Sequence, residues 1–190
     1  MKLKKPLFWD YKKPNIIAYF FWPISIILQF LNSLKRATIS KKKFNNIKTI
    51  GIGNIYIGGT GKTSLCLEVY EILKKKKLKT CFIKKDYVDQ KDEQEILEKK
   101  GRLFKSNKRV MALKNAVKEE YEIAIFDDGL QDESINYDLS FLCFNNKNWI
   151  GNGLTIPSGP LRENFTNIKK YNDIFINGNL ENLENIKREI

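Results

Sequence analysis

Apolar and polar positions fall along this chain in blocks whose period and length separate helices from strands. A basic stretch from Met1 to Lys13, with Phe8, Trp9 and Tyr11 interleaved, leads into an apolar run from Ile16 to Leu31 in which Gln29 is the one strongly polar side chain. That run predicts a helix kinked at Pro23, closed by Asn32, Ser33, Lys35 and Arg36. At about 1.5 Å per residue it would be roughly 24 Å long, short of the ~30 Å hydrocarbon core of a bilayer. The reading is therefore a helix lying in a membrane interface, with Trp9, Trp22 and the flanking lysines at headgroup level. A helix packed on the domain's own core and a single spanning anchor are the alternatives. A secretory signal fits less well, because no small-residue cleavage site follows and Lys41-Lys42-Lys43 adds charge instead.

Beyond residue 40 the pattern alternates between short apolar strands and longer amphipathic segments. Strands are predicted at Lys48 to Ile55, Leu78 to Ile83, Leu103 to Lys105, Tyr121 to Gly129, Leu139 to Phe144 and Asp173 to Asn177. Helices fit between them: one carrying Leu65, Leu67, Val69, Ile72 and Leu73, one from Asp92 to Gly101, and one from Val110 to Val117. A short helix is also expected from Leu180 to Ile190. This alternation predicts an α/β fold with a mostly parallel sheet flanked by helices. The domain reading is a basic and apolar N-terminal segment over 1–40 and a nucleotide-binding domain over 41–190.

Composition narrows the partners. With 34 Lys and Arg against 22 Asp and Glu, the chain carries a formal charge of +12, which favours phosphates on nucleotides or on anionic lipid. Lysine dominates, since only Arg36, Arg102, Arg109, Arg162 and Arg188 are arginine, so coding bias is an equally good source of the charge. Cys66, Cys81 and Cys143 lie within apolar patterns and read as small core residues of a reducing compartment. Histidine is absent from the 190 residues, so proton transfer would fall to a carboxylate, a lysine or water.

The stretch with the most definite chemistry is Tyr56-Ile57-Gly58-Gly59-Thr60-Gly61-Lys62-Thr63, set between the first strand and its helix. Small residues there let backbone N–H groups curl round an oxyanion, and the helix N-terminus adds partial positive charge. Lys62 would reach the outer phosphates of a nucleotide, and Thr63 would offer a hydroxyl to the accompanying Mg²⁺. The match departs from the strict phosphate-loop pattern at Tyr56, where glycine is expected.

Two further stretches lie downstream. Asp127 and Asp128 end an apolar strand, the edge at which open parallel sheets bind ligands, so both carboxylates are expected in the same crevice as Lys62, one of them holding Mg²⁺. The loop from Gly151 to Glu163 has its turns fixed by Gly and Pro, and presents Arg162 as a fork-shaped phosphate donor.

Taken together, Gly53-Asn54-Ile55 running into Gly58 to Thr63, Asp127-Asp128-Gly129-Leu130-Gln131, and Gly151-Asn152-Gly153 with Pro157 to Glu163 resemble the tetraacyldisaccharide 4′-kinase family of lipid A synthesis. Pro6-Leu7-Phe8-Trp9 before an apolar helix is similar to that family's N-terminus. The resemblance implies an ATP- and Mg²⁺-dependent kinase acting on the 4′-hydroxyl of a lipid disaccharide at the cytoplasmic face of the inner membrane, with no nucleic-acid partner. It implies ATP contacts from Tyr56 to Thr63, catalytic roles for Lys62, Asp128 and Asp92 (the last as base), metal contacts from Thr63, Glu93, Asp127 and Asp128, and substrate contacts from Asn54 and Arg162.

This chain departs from the family's pattern in several places. The family's Ser-Arg-Gly-Tyr motif reads Lys84-Lys85-Asp86-Tyr87, Lys91 replaces the glycine before the acidic pair, and Asp132 stands where a histidine follows Leu-Gln. The family also continues into a C-terminal domain that supplies a histidine partner for the base, and this chain ends at Ile190 without one. Three classes follow: the lipid kinase, a different membrane-associated phosphate-loop ATPase, and a nucleotide or lipid binder without turnover. A GTPase is disfavoured because Asn146-Lys147-Asn148 is followed by Trp149 rather than aspartate, and a partitioning ATPase because Ile57 stands in place of a second lysine.

Overall fold

The computed structural model describes residues 5–87, 91–179 and Ile186. The predicted helix from Leu180 to Ile190 lies, except for Ile186, outside those residues. Two compact units are formed: unit 1 from Met1–Ile39, Asn54–Thr60 and Cys143–Ile190, and unit 2 from Ser40–Gly53 and Gly61–Leu142.

All six predicted strands are present: β1 (Lys48–Gly53), β2 (Thr80–Lys85), β3 (Leu103–Ser106), β4 (Ile123–Asp127), β5 (Leu139–Asn145) and β6 (Asp173–Asn177). They order as β3-β2-β4-β1-β5-β6. The registers of β1 with β4 and β5, and of β2 with β3 and β4, are all parallel. β4 therefore lies between β1 and β2, so the connection leaving β1 must cross over it. The helix α2 (Lys62–Lys75) makes that crossing and packs on β1, β4 and β2. Because parallel strands are covered on both faces, β1, β2 and β4 read as nearly continuous apolar runs.

The core of unit 2 gathers Cys81 and Ile83 of β2, Ala124 and Phe126 of β4, Phe104 of β3, and Ala112, Leu113 and Ala116 of the helix α4 (Arg109–Lys118). Cys66, Cys81 and Cys143 are buried thiols, and burial pushes Cys81 up to about 12, which keeps it protonated. At Gly51 and Gly53, two residues apart on one side of β1, an added Cβ would lie 2.9 Å and 2.8 Å from Leu130. Glycine is required at both because the segment leaving β4 packs directly on the strand's backbone.

In unit 1 the N-terminal helix is longer than its apolar run. The helix α1 spans Ile16–Thr38, 23 residues, capped by the Asn15 side chain accepting from the Ala18 N–H at 2.9 Å. That is about 35 Å, enough to cross a bilayer, and among the described residues it is the one helix long and apolar enough to do so. Its packing is inverted relative to an ordinary core helix. Ala18, Ser25, Gln29 and Arg36 follow the helical period on one face and meet protein, while Ile16, Phe20, Ile27 and Phe30 are exposed.

The inward stripe docks on the glycine and proline loop. Ser25 Oγ donates to the Thr155 carbonyl at 2.9 Å and pairs with Ser158, Gln29 Nε2 donates to the Arg162 carbonyl at 3.3 Å, and Arg36 Nη1 donates to Glu163 at 3.0 Å. The loop is fixed in turn by Asn152, whose amide donates to the Ser158 carbonyl at 2.9 Å, and by the Trp9 indole donating to the Pro157 carbonyl at 3.0 Å. Below it Phe144, Trp149 and Phe165 pack ring against ring.

Candidate active site

The loop after β1 is shaped by its own side chains. Asn54, buried, donates from its amide to the Tyr56 carbonyl at 2.6 Å and the Gly58 carbonyl at 3.2 Å, which folds the chain back on itself. Gly58 and Gly61 take positive φ of 136° and 85°, a region that strains any residue with a Cβ. Gly61 is also the N-cap of α2. Among the described residues, the N–H groups of Gly59, Thr60 and Gly61 enter no backbone hydrogen bond. The first turn of α2 leaves its own N–H groups without helical partners. The Thr60 hydroxyl is buried without a partner.

Three residues of the expected site have protein partners here. The Tyr56 side chain does not face a nucleotide: it is buried, its hydroxyl accepting from Lys5 Nζ at 2.6 Å and donating to Asp10 at 2.8 Å. A tyrosine replaces the expected glycine because it fills that space and ties the N-terminal segment to the loop. The Ile57 N–H is taken by the Pro160 carbonyl at 2.9 Å, so it is not available to a phosphate. Asn54 likewise has its amide nitrogen bonded twice within the loop, which shapes the loop, while its Oδ1 is buried without a hydrogen bond among the described residues.

Within unit 2, Lys62 and the two aspartates converge. The β1–β4 register sets Asp127 opposite Ile52, near the C-terminal end of β1. Lys62 Nζ lies 3.7 Å from Asp128 Oδ1, and Thr63 Oγ1 donates to Asp127 Oδ2 at 3.3 Å. Asp128 has φ of 56°, left-handed for a non-glycine residue, and its Oδ1 is buried without a hydrogen bond. Its charge is met instead by the Lys62 ammonium, 3.7 Å away.

Two residues of this site escaped sequence reasoning. Arg109, buried at the start of α4, donates from Nη2 to the Asp128 carbonyl at 2.7 Å and pairs with Asp132 at 3.6 Å. The signal for it was an arginine in a chain whose other cations are nearly all lysine. The second is Lys84, 1 % exposed inside β2, whose ammonium binds Asp127 Oδ2 and donates to Glu93 Oε2 at 2.6 Å. Burial alone would lower its pKa, but the Asp127 carboxylate outweighs that and holds it above the ordinary lysine value.

Lys84 changes the standing of the expected metal ligands. Asp127, fully buried, accepts from Lys84 and Thr63 on Oδ2 and from the Cys66 thiol at 3.8 Å on Oδ1, and Glu93 is engaged by Lys84. Asp127 and Glu93 thus share one ammonium, whereas Asp128 Oδ1 accepts no hydrogen bond and lies 3.7 Å from Lys62 Nζ. Asp92 is exposed in the first turn of the helix α3 (Lys91–Lys100), next to Glu93. Arg162 lies in unit 1, its backbone N–H donating to the Ile55 carbonyl at 2.7 Å, its guanidinium without an ion-pair partner among the described residues.

Comparison with known proteins shows the family to which the chain belongs. The family model for LpxK, tetraacyldisaccharide-1-P 4′-kinase, matches residues 17–190. A tetraacyldisaccharide 4′-kinase of Pelagibacter ubique is 58 % identical over 192 residues, covering 100 % of this chain and 60 % of that protein. A Rickettsia africae protein of the same name is 34 % identical over 181 residues, covering 86 % of this chain and 55 % of that protein. The chain therefore spans little more than half the length of these curated relatives. Among solved structures, the "apo" form of LpxK from Aquifex aeolicus in complex with ATP superposes with a TM-score of 0.70 at 21 % identity, covering 85 % of this chain and 59 % of that one, a likeness of fold. With the family model matched over nearly its whole length, the chain belongs to the tetraacyldisaccharide-1-P 4′-kinase family.

Proposed function

We propose that this chain binds ATP with Mg²⁺ and carries the nucleotide half of a kinase that phosphorylates the 4′-hydroxyl of a tetraacyldisaccharide 1-phosphate in lipid A synthesis. The observation that carries the reading is Lys62 beside Asp128 at 3.7 Å, directly after Gly59, Thr60 and Gly61, whose N–H groups enter no backbone hydrogen bond among the described residues. The amides of Gly59, Thr60 and Gly61 would cradle the phosphates, and Lys62 would leave Asp128 to balance charge building on the γ-phosphate. Asp92 is the proposed acceptor of the hydroxyl proton, a modest demand on a carboxylate because the transition state is loose.

A magnesium ion fits this residue set. Asp128 Oδ1, which accepts no hydrogen bond and lies 3.7 Å from Lys62 Nζ, and the Thr63 hydroxyl are hard oxygen donors, few in number, which suits an ion that takes most of its ligands from phosphates and water. When bound, the ion neutralises charge between the β- and γ-phosphates. The Lys62 and Asp128 side chains, both partly buried, set where that charge would be met.

The reading extends to peripheral association with the cytoplasmic face of the inner membrane. Unit 1 turns the polar face of α1 inward and leaves Ile16 87 % and Phe20 76 % exposed, an arrangement that is unfavourable in water and favourable in a headgroup layer. Arg162, with its guanidinium unpaired among the described residues, is the proposed contact for the disaccharide's phosphate. Transfer of ³²P from ATP to purified tetraacyldisaccharide 1-phosphate tests the whole proposal. Labelled lipid supports it, and ATP binding with no transfer would select a nucleotide binder without turnover.

A further inference from the structure

Lys84 is a lysine placed where the chemistry of the site would call for something small or for a metal. Its ammonium, removed from water at 1 % exposure, can be stable only against full negative charge, and it has two carboxylates: Asp127 at 0 % and Glu93 at 49 % exposure. These come from β4 and α3, so the lysine also ties the start of α3 to the sheet edge. A neutral side chain at this position could neutralise neither acid.

We propose that the Lys84 ammonium is a resident cation on the Asp127 and Glu93 carboxylates, which excludes a divalent ion from that pair and confines metal binding to Thr63 and Asp128. The exclusion follows from lone pairs and charge. Asp127 has Oδ2 shared between Lys84 and Thr63 and Oδ1 facing the Cys66 thiol, and Glu93 has Oε2 on Lys84. A divalent ion entering between them would have to expel a buried ammonium with no other counter-charge to take up. Asp128, one residue on, has an Oδ1 that accepts no hydrogen bond, and its counter-charge, Lys62 at 3.7 Å, is partly exposed and free to move to a phosphate. The same contact makes Lys84 a positioning residue, since it fixes Glu93 and with it the adjacent Asp92. The Thr63 and Asp128 half rests on the kinase reading above, whereas exclusion at Asp127 and Glu93 is a property of the nucleotide-free chain.

The test is a Mn²⁺ titration of the full chain without nucleotide, followed by the EPR signal of free Mn²⁺, on wild type, Lys84→Ser and Lys84→Ser/Asp127→Asn. Lys84→Ser should gain a Mn²⁺ site at least about tenfold tighter than any in the wild type, and the double variant should lose it. The Tm of Lys84→Ser should rise on adding Mg²⁺ by several degrees more than the wild type's, because the ion restores the missing positive charge. Equal Mn²⁺ binding in wild type and Lys84→Ser, or a gain that survives Asp127→Asn, overturns the inference. Should Lys84→Ser be unfolded without metal, refolding by Mn²⁺ supports it and failure to refold overturns it. ATP binding by the wild type, measured on the same preparation, separates failure of this inference from failure of the kinase reading.

Discussion

The ammonium of Lys62 lies 3.7 Å from Oδ1 of Asp128, although the two residues come from a helix start and a strand end 66 positions apart in the chain. In this pair each group partly satisfies the other. The β1–β4 register is what brings them together, since it sets Asp127 beside Ile52 just before the phosphate loop begins. Lys62→Ala should weaken ATP binding by about 1.5–3 kcal/mol, roughly tenfold or more, as expected for loss of a charged hydrogen bond. Fluorescent ATP-analogue titration would show it, and unchanged affinity would remove Lys62 from the site.

Tyr56 joins the loop to the N-terminal segment through Lys5 at 2.6 Å and Asp10 at 2.8 Å. Tyr56→Phe keeps the buried ring and removes only the hydroxyl. A stability loss of about 0.5–1.5 kcal/mol in urea unfolding is expected, with earlier proteolysis before residue 15. A variant as stable as the wild type would mean that the hydroxyl contributes nothing net.

The outward face of α1 is predicted to bind membrane without supporting the fold. Phe20→Asp/Ile27→Asp/Phe30→Asp changes three side chains that are exposed. Each apolar group transferred from water is worth about 1.5–3 kcal/mol, so co-sedimentation with anionic vesicles should fall at least tenfold while Tm stays within about 2 °C. Full vesicle binding by the triple variant would contradict the membrane reading.

Asp138 gives a pH signature for unit 2. Its partial burial would raise the carboxyl pKa, but the backbone N–H and hydroxyl of Thr49, with Lys48 nearby, hold it below the usual value. A folded-state pKa that is depressed contributes stability above the unfolded value of ~3.9, lost as pH falls through the folded one. Asp138→Asn should therefore be less stable than wild type by about 1–2 kcal/mol at pH 7, with the gap closing below about pH 4. A gap independent of pH would show that the charge of Asp138 is not what counts.

The sheet and the phosphate loop were legible because their signals are local. Glycine content, β-branched runs and the strand-to-helix transition at Lys62 sit within a few residues of each other, and Asp127 and Asp128 end an apolar run. What escaped depends on distant partners. Lys84 looks like the charged end of a strand until Asp127, 43 positions later, is seen to meet it. Tyr56 looks like a defect in a glycine motif until Lys5 and Asp10 are placed on its hydroxyl. The apolar run of α1 hid a polar stripe: Ser25, Gln29 and Arg36 follow the helical period, and the last lies beyond the run itself. Reading that period through residue 36 would have shown both the true helix length and which face meets protein.

The account stands on a magnesium-linked triphosphate held between Lys62, Thr63 and Asp128. Isothermal titration of ATP into the wild type and Asp128→Asn, each with and without Mg²⁺, tests this most directly. The wild type should bind ATP at least about tenfold more tightly with Mg²⁺, and Asp128→Asn should lose most of that gain while keeping its Mg²⁺-free affinity. Wild-type affinity indifferent to Mg²⁺, or a Mg²⁺ gain that survives in Asp128→Asn, would contradict it.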